Sequence, residues 1–211
     1  MRNECYVCAA IAGLVGALFL FLVHIALLTE VDYSDTYHLL LNARTIAERM
    51  GPYDPYRFIA ASLLHIPSVL LERRFHWDGF TFRLAHLWGT VFSLLLLIGL
   101  YRLFVLSMRP AWALVGVFLF ACNPMVIHYA PMGKEDLPSL FWLTLSFYFL
   151  LTDRNRLDFF LYGLSGAIAV GYRYNFFLIL LPISVFCEVM RRSTVSKTLS
   201  RLFLPLVLFA L

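Results

Sequence analysis

Apolar residues in this chain come in long blocks separated by short polar connectors. The first block, 7–28, is 22 residues long and is interrupted only by His24. As a helix it reaches about 33 Å, enough to cross a hydrocarbon core. A cleaved leader has an apolar stretch of about 7–15 residues followed by small residues. Here the block is longer and Glu30-Val31-Asp32 follows it, so a retained anchor is expected. Further blocks occupy 82–108, 111–129, 137–151, 159–171 and 176–190, and a last one begins at 202 and stops with Leu211. Ten residues make about 15 Å of helix, roughly half a bilayer core. The sequence therefore reads as ending mid-span, with 1–211 the N-terminal part of a larger transmembrane domain. Blocks 159–171 and 176–190 are short for spans, about 20 and 23 Å. Their joining turn, Tyr172-Arg173-Tyr174-Asn175, is expected below the membrane surface, where polar backbone needs protein or a watery cavity around it. Gly163 and Gly166 are expected to let this hairpin pack closely on a neighbour.

Between the first two blocks lies a polar segment, 29–79, with seven acids and five arginines. From Thr36 to Met50 apolar residues recur at Leu39, Leu40, Ala43, Ile46, Ala47 and Met50, while His38, Asn42, Thr45 and Arg49 fall on or near the other side. That spacing predicts an amphipathic helix lying along a membrane surface. Gly51-Pro52 is its expected stop, with glycine suited to a left-handed cap and proline unable to continue. A second piece, 58–71, is interrupted by His65 and Pro67 and fits a surface or re-entrant helix. The expected fold class is all-α: a polytopic membrane helical bundle with an external interfacial amphipathic helix in the first loop.

Composition agrees with these blocks. Of 211 residues, 61% are hydrophobic and 14% charged, with a mean hydropathy of +0.78. A soluble domain carries about 25% charged residues, so a water-soluble globule is excluded. The net charge of +4 comes from arginines scattered between apolar blocks, which argues against a nucleic-acid face. Those arginines also orient the chain. Connectors on the N-terminal side hold Arg2, Arg102, Arg109, Arg154, Arg156, Arg191, Arg192, Lys197 and Arg201; the short connectors opposite hold Lys134 and Arg173. The N-terminus is thus expected in the cytoplasm, in a multi-pass protein of the plasma membrane or endoplasmic reticulum. Cys122 and Cys187 fall in apolar blocks and read as small hydrophobes. Cys5 and Cys8 form a Cys-x-x-Cys pair with no second pair to complete a zinc site.

Three polar groups gather on the expected external side. Asp32 and Asp35 follow the first block; aspartates there cap a helix, or act as a general base or bind a metal. Lys134-Glu135-Asp136 precedes the block at 137. An acid before Pro138 is a helix-start signal, yet three consecutive charges exceed what one cap needs. Arg173, between Tyr172 and Tyr174, either snorkels to headgroups or holds a phosphate through its fork of donors. Ion-coupled transporters place such groups near the midplane. An interfacial set suits a substrate with its head at the surface and its tail in lipid.

The order of these features resembles the N-terminal half of the GT-C glycosyltransferases, such as protein O-mannosyltransferases and aminoarabinose or other dolichyl- and undecaprenyl-phosphate-sugar transferases. The resemblance rests on Asp32-Tyr33-Ser34-Asp35-Thr36-Tyr37, Asn42-Ala43-Arg44, Gly51-Pro52-Tyr53, Phe82-Arg83-Leu84, Asn123-Pro124, the acid before Pro138, and Gly163-Leu164-Ser165-Gly166 followed by Arg173. It covers about residues 7–190. Many members carry adjacent acids in the first loop, whereas this chain has Ser34-Asp35 with Asp32 upstream. The resemblance implies a membrane enzyme moving a sugar from a polyprenyl-phosphate donor to an acceptor hydroxyl on the non-cytoplasmic face. By analogy Asp35 or Asp32 is the base, and Glu135 and Asp136 orient the acceptor or a metal. Arg173, Lys134 and Arg57 hold the donor phosphate. The resemblance fixes no cofactor, and a divalent metal is compatible with it. Rival expectations are a lipid or small-solute transporter or flippase, and a non-catalytic scaffold subunit.

Overall fold

The computed structural model describes residues 13, 16, 18–24, 34–48, 50–52, 62–132, 134–152 and 155–190. Among them the protein is 86% helical with no strand, so the all-α expectation holds. Residues 18–24 are helical. The long elements are α1 (Ser34–Ala47), α2 (Ile66–Phe75), α3 (Phe80–Val105), α4 (Pro110–Ala121) and α5 (Pro124–Tyr129). A 3-10 turn at Ala130–Met132 leads to α6 (Asp136–Thr152) and α7 (Arg156–Tyr172). A second such turn, Tyr174–Phe176, leads to α8 (Phe177–Met190). The Cys5–Cys8 pair and the block from 202 lie outside the described residues.

Helix starts follow local chemistry. Pro110 opens α4 after an extended Arg109, where its missing N–H costs nothing. Asn155 caps α7 by accepting from the Asp158 N–H at 2.9 Å. Asn123 caps α5 in the same way, taking the Met125 N–H at 2.9 Å, with Pro124 in the first turn. That cap restarts the helix inside the expected block 111–129. The chain bends there by 61° between α4 and the segment Pro124–Met132, because proline cannot donate back into the preceding turn. The third helix starts two residues before the expected 82 and ends at Val105 rather than 108.

Of the described helices, α3 alone is long and apolar enough to cross a membrane. It has 26 residues, about 39 Å, and the bent pair beginning at Pro110 passes the same test jointly. The bundle centres on α6, which packs most extensively on α7 and then on α3. Against α6, α7 buries a small-residue face of Gly163, Ser165, Gly166, Ala167 and Ala169. Across the α3–α6 seam a Cβ at Gly99 would meet Thr144 Cγ2 at 3.4 Å, so a larger side chain there would press on the partner helix. The core joins Leu143, Leu150, Tyr162, Ala169 and Leu180 across α6, α7 and α8. A hydroxyl chain supports it. The Ser184 hydroxyl donates to the Leu180 carbonyl at 2.6 Å, so its oxygen accepts from the Tyr162 hydroxyl at 2.8 Å. The outside is the reverse of the inside: Thr90, Ser93, Ser139, Ser146 and Ser184 are buried, while Ile98, Trp112, Leu119, Leu178 and Phe186 are exposed.

In the first loop, α1 ends at Ala47 rather than Met50, and Gly51 takes φ +81°, the left-handed conformation expected of it. The buried face of α1 is Thr36, Leu39, Asn42 and Ala43; Met50 is 69% exposed. Hydrophobicity alone had put Asn42 near the outer side and Met50 on the apolar stripe. Packing reverses both. Next, α2 begins after His65, the expected interruption, and packs on α1. His65 is 3% exposed and its Nδ1 has no hydrogen-bond partner among the described residues. Burial pushes its pKa down from 6.5 to about 4. The unfolded chain therefore takes up this proton first, so stability holds above pH 6.5 and falls as pH drops towards 4. The difference in unfolding free energy between the native chain and His65→Leu should change by about 3 kcal/mol across that window, against the native chain on the acid side. Urea unfolding of both proteins at pH 7.5 and pH 4 measures it.

Candidate functional site

The site is built around the turn Ala130–Met132, whose carbonyls are all taken by side chains from distant helices. The Thr36 hydroxyl of α1 donates to Met132 O at 2.7 Å across 96 residues of chain. On α3, His86 bonds Pro131 O through Nδ1, and since a carbonyl only accepts, the ring proton is on Nδ1. Thr90, one turn further along α3, directs its hydroxyl at Ala130 O at 3.5 Å and at His86 O at 3.3 Å. All three residues are fully buried. A 3-10 turn leaves carbonyls outside any ladder, and buried carbonyls without partners are costly. This clasp satisfies them and fixes the connector that runs on to Glu135 and Asp136.

At the end of that connector the acids meet the basic turn. Arg173 Nη2 lies 2.6 Å from Asp136 Oδ1 and 3.9 Å from Glu135 Oε1. Tyr172 packs with Leu39 of α1, Trp142 of α6 and Ile168 of α7, so the starts of α1 and α6 and the end of α7 share one corner. Burial first, and then the Glu135 carboxylate, push the Tyr172 hydroxyl up to about 12, so it stays protonated at neutral pH. Two N–H donors in this corner, Arg173 Nε and Trp142 Nε1, are buried without a partner among the described residues. Buried donors of this kind cost free energy unless something accepts from them. An oxygen-rich anion would satisfy them.

The clasp carries two stability predictions. His86→Ala removes a buried ring and strands a carbonyl, and should destabilise the full chain by about 3–5 kcal/mol. Thr36→Val keeps the shape but loses the donor and should cost about 1–3 kcal/mol, whereas Thr36→Ser should cost less than Thr36→Val. Denaturant unfolding in detergent micelles measures all three.

Of the residues singled out from the sequence, Glu135, Asp136 and Arg173 come together. Lys134 instead lies over the Tyr129 ring, 5.2 Å from its centroid. The backbone of Asp35 is in the first turn of α1, next to Thr36; its side chain, Asp32 and Arg57 lie outside the described residues. The sequence reading missed Thr36, His86, Thr90 and Trp142. A histidine and a threonine one turn apart inside an apolar block were the available signal for two of them. Among the described residues no group of three or more His, Cys, Asp or Glu gathers to hold a metal. The Glu135–Asp136 pair already faces the Arg173 cation. Cys122 is exposed at the end of α4, and Cys187 is half-buried. No family model, curated protein or solved structure matches the chain.

Proposed function

We propose that this chain is part of a multi-pass membrane glycosyltransferase of the GT-C kind, using a polyprenyl-phosphate sugar on the non-cytoplasmic face. The observation that carries the reading is the corner where Arg173 holds Asp136 beside Glu135 and where the first turn of α1 is tied in through Thr36. The bundle's exposed apolar and buried hydroxyl side chains support a lipid surround for several helices, and α1 then lies along the outer interface.

In this reading Asp35, or Asp32, accepts the proton of an acceptor hydroxyl. That oxygen forms a bond to the anomeric carbon, the carbon–oxygen bond to phosphate breaks with inversion, and the polyprenyl phosphate leaves with the electron pair. Arg173 has Nη2 on the acids and Nε without a partner among the described residues. Its open edge, with Trp142 Nε1, stabilises the charge growing on the leaving phosphate. Asp136 and Glu135 keep that guanidinium in place and orient the acceptor.

The test supplies membranes containing the full chain with a polyprenyl-phosphate-linked radiolabelled sugar. Label in a new covalent product is the expected result. Movement of unchanged donor across the bilayer would instead make the protein a transporter, and neither outcome would make it a scaffold.

A further inference from the structure

On the opposite flank of α1 from the Arg173 corner, a cavity of about 490 Å³ opens between α1, α2 and the first turn of α3. Leu40, Val69 and Phe82 form part of its apolar wall, and its rim carries charges of both signs. Arg44 and Arg73 share one carboxylate, Glu48, at 3.2 and 3.4 Å, so the pair keeps a surplus positive charge. Glu72 is committed to the Thr81 backbone N–H at 2.6 Å, capping α3. Asp78, also on the rim, has no ion pair or hydrogen bond among the described residues. Thr81 also lines the cavity; the residue is 6% exposed, and its hydroxyl is buried with no hydrogen-bond partner among the described residues.

The position of the cavity narrows the ligand. It adjoins the end from which the 26-residue α3 departs. Beside it Phe75 and Trp77 are exposed and stacked at 5.0 Å, with Phe80 edge-on to Trp77 at 5.2 Å. Aromatic rings at the end of a span mark the headgroup level of a bilayer. A ligand there must match two guanidinia that share one carboxylate, a further carboxylate without an ion pair among the described residues, and an apolar wall.

We propose that this cavity binds the head of a phosphoethanolamine lipid. The Arg44 and Arg73 guanidinia take the phosphodiester oxygens, and the Asp78 carboxylate accepts from the primary ammonium. A phosphoglycerol head brings no cation for Asp78, and a choline head has no N–H to donate to it. The inference rests on α3 spanning a membrane and is independent of sugar transfer.

The experiment incubates the purified full chain in detergent with equal amounts of phosphatidylethanolamine, phosphatidylcholine and phosphatidylglycerol carrying the same acyl chains. Native mass spectrometry then counts retained lipid. Retention of the ethanolamine lipid should exceed that of either other lipid by about tenfold, the equivalent of one charge-assisted contact. Asp78→Asn should abolish the preference over choline, and Arg73→Gln should lower retention by a similar factor. Both residues are exposed, and unchanged circular dichroism checks the fold of each variant. Equal retention of all three lipids, a preference for phosphatidylglycerol, or a preference that survives Asp78→Asn would overturn the proposal. So would binding of chain-free glycerophosphoethanolamine as tight as that of the lipid, which would make the ligand a soluble one.

Discussion

Arg173→Gln is expected to lower sugar transfer by about 10²–10³-fold, the typical loss when one donor to a developing oxyanion is removed. The same change should leave the fold nearly as stable. The Arg173 side chain is 36% exposed and its partner Asp136 is 28% exposed, so water screens the pair and its worth in stability is on the order of 1 kcal/mol. Arg173→Lys keeps the charge but loses the planar fork that spans two acceptors, and an intermediate rate should result. Initial rates of labelled product and unfolding curves on the same preparations separate the two effects. If Arg173→Gln cost several kcal/mol of stability while folded protein kept its full rate, the guanidinium would be a strut between α6 and α7, and its role in transfer would be lost.

Asp35→Asn should lower transfer by about 10²–10⁴-fold, the range for a positioned general base. Asparagine matches the carboxylate in size and still suits the first turn of a helix, so α1 should form as before. Asp32→Asn is the companion measurement, because the chain offers two acids where the family pattern places an adjacent pair. Only the residue acting as base should also remove the acid limb of the pH–rate profile, since that limb reports its protonation. A full rate in both variants would place the base elsewhere or remove the sugar-transfer reading.

The wider architecture was legible because apolar blocks of this length leave few alternatives. The blocks at 82–108, 137–151, 159–171 and 176–190 match α3, α6, α7 and α8 to within three residues at each end, and Gly51 adopts the left-handed conformation its neighbours called for. In block 111–129 hydropathy continues through Asn123-Pro124, yet those two residues restart the helix, and the bent pair passes the span test only jointly. On α1 a pattern of apolar positions could not tell which neighbours the helix would meet. Asn42 is buried where polar partners exist, and Met50 is exposed because the helix has already ended.

The candidate site divides in the same way. Acids beside an expected helix start and an arginine in an expected turn could be picked out one by one, since charges are rare in such a chain and each is conspicuous. What the linear sequence decided was helix against strand, the one block that forms a single helix long and apolar enough to cross a membrane, and the short list of charged groups. The tertiary structure alone decided that Arg173 meets Asp136 and Glu135 while Lys134 turns to Tyr129, and that Thr36, His86 and Thr90 clasp one turn of backbone. Hydropathy and helix signals are local, acting over a few residues. A contact between positions 36 and 132 depends on which helix faces close against each other, and that is settled by the packing of the whole bundle.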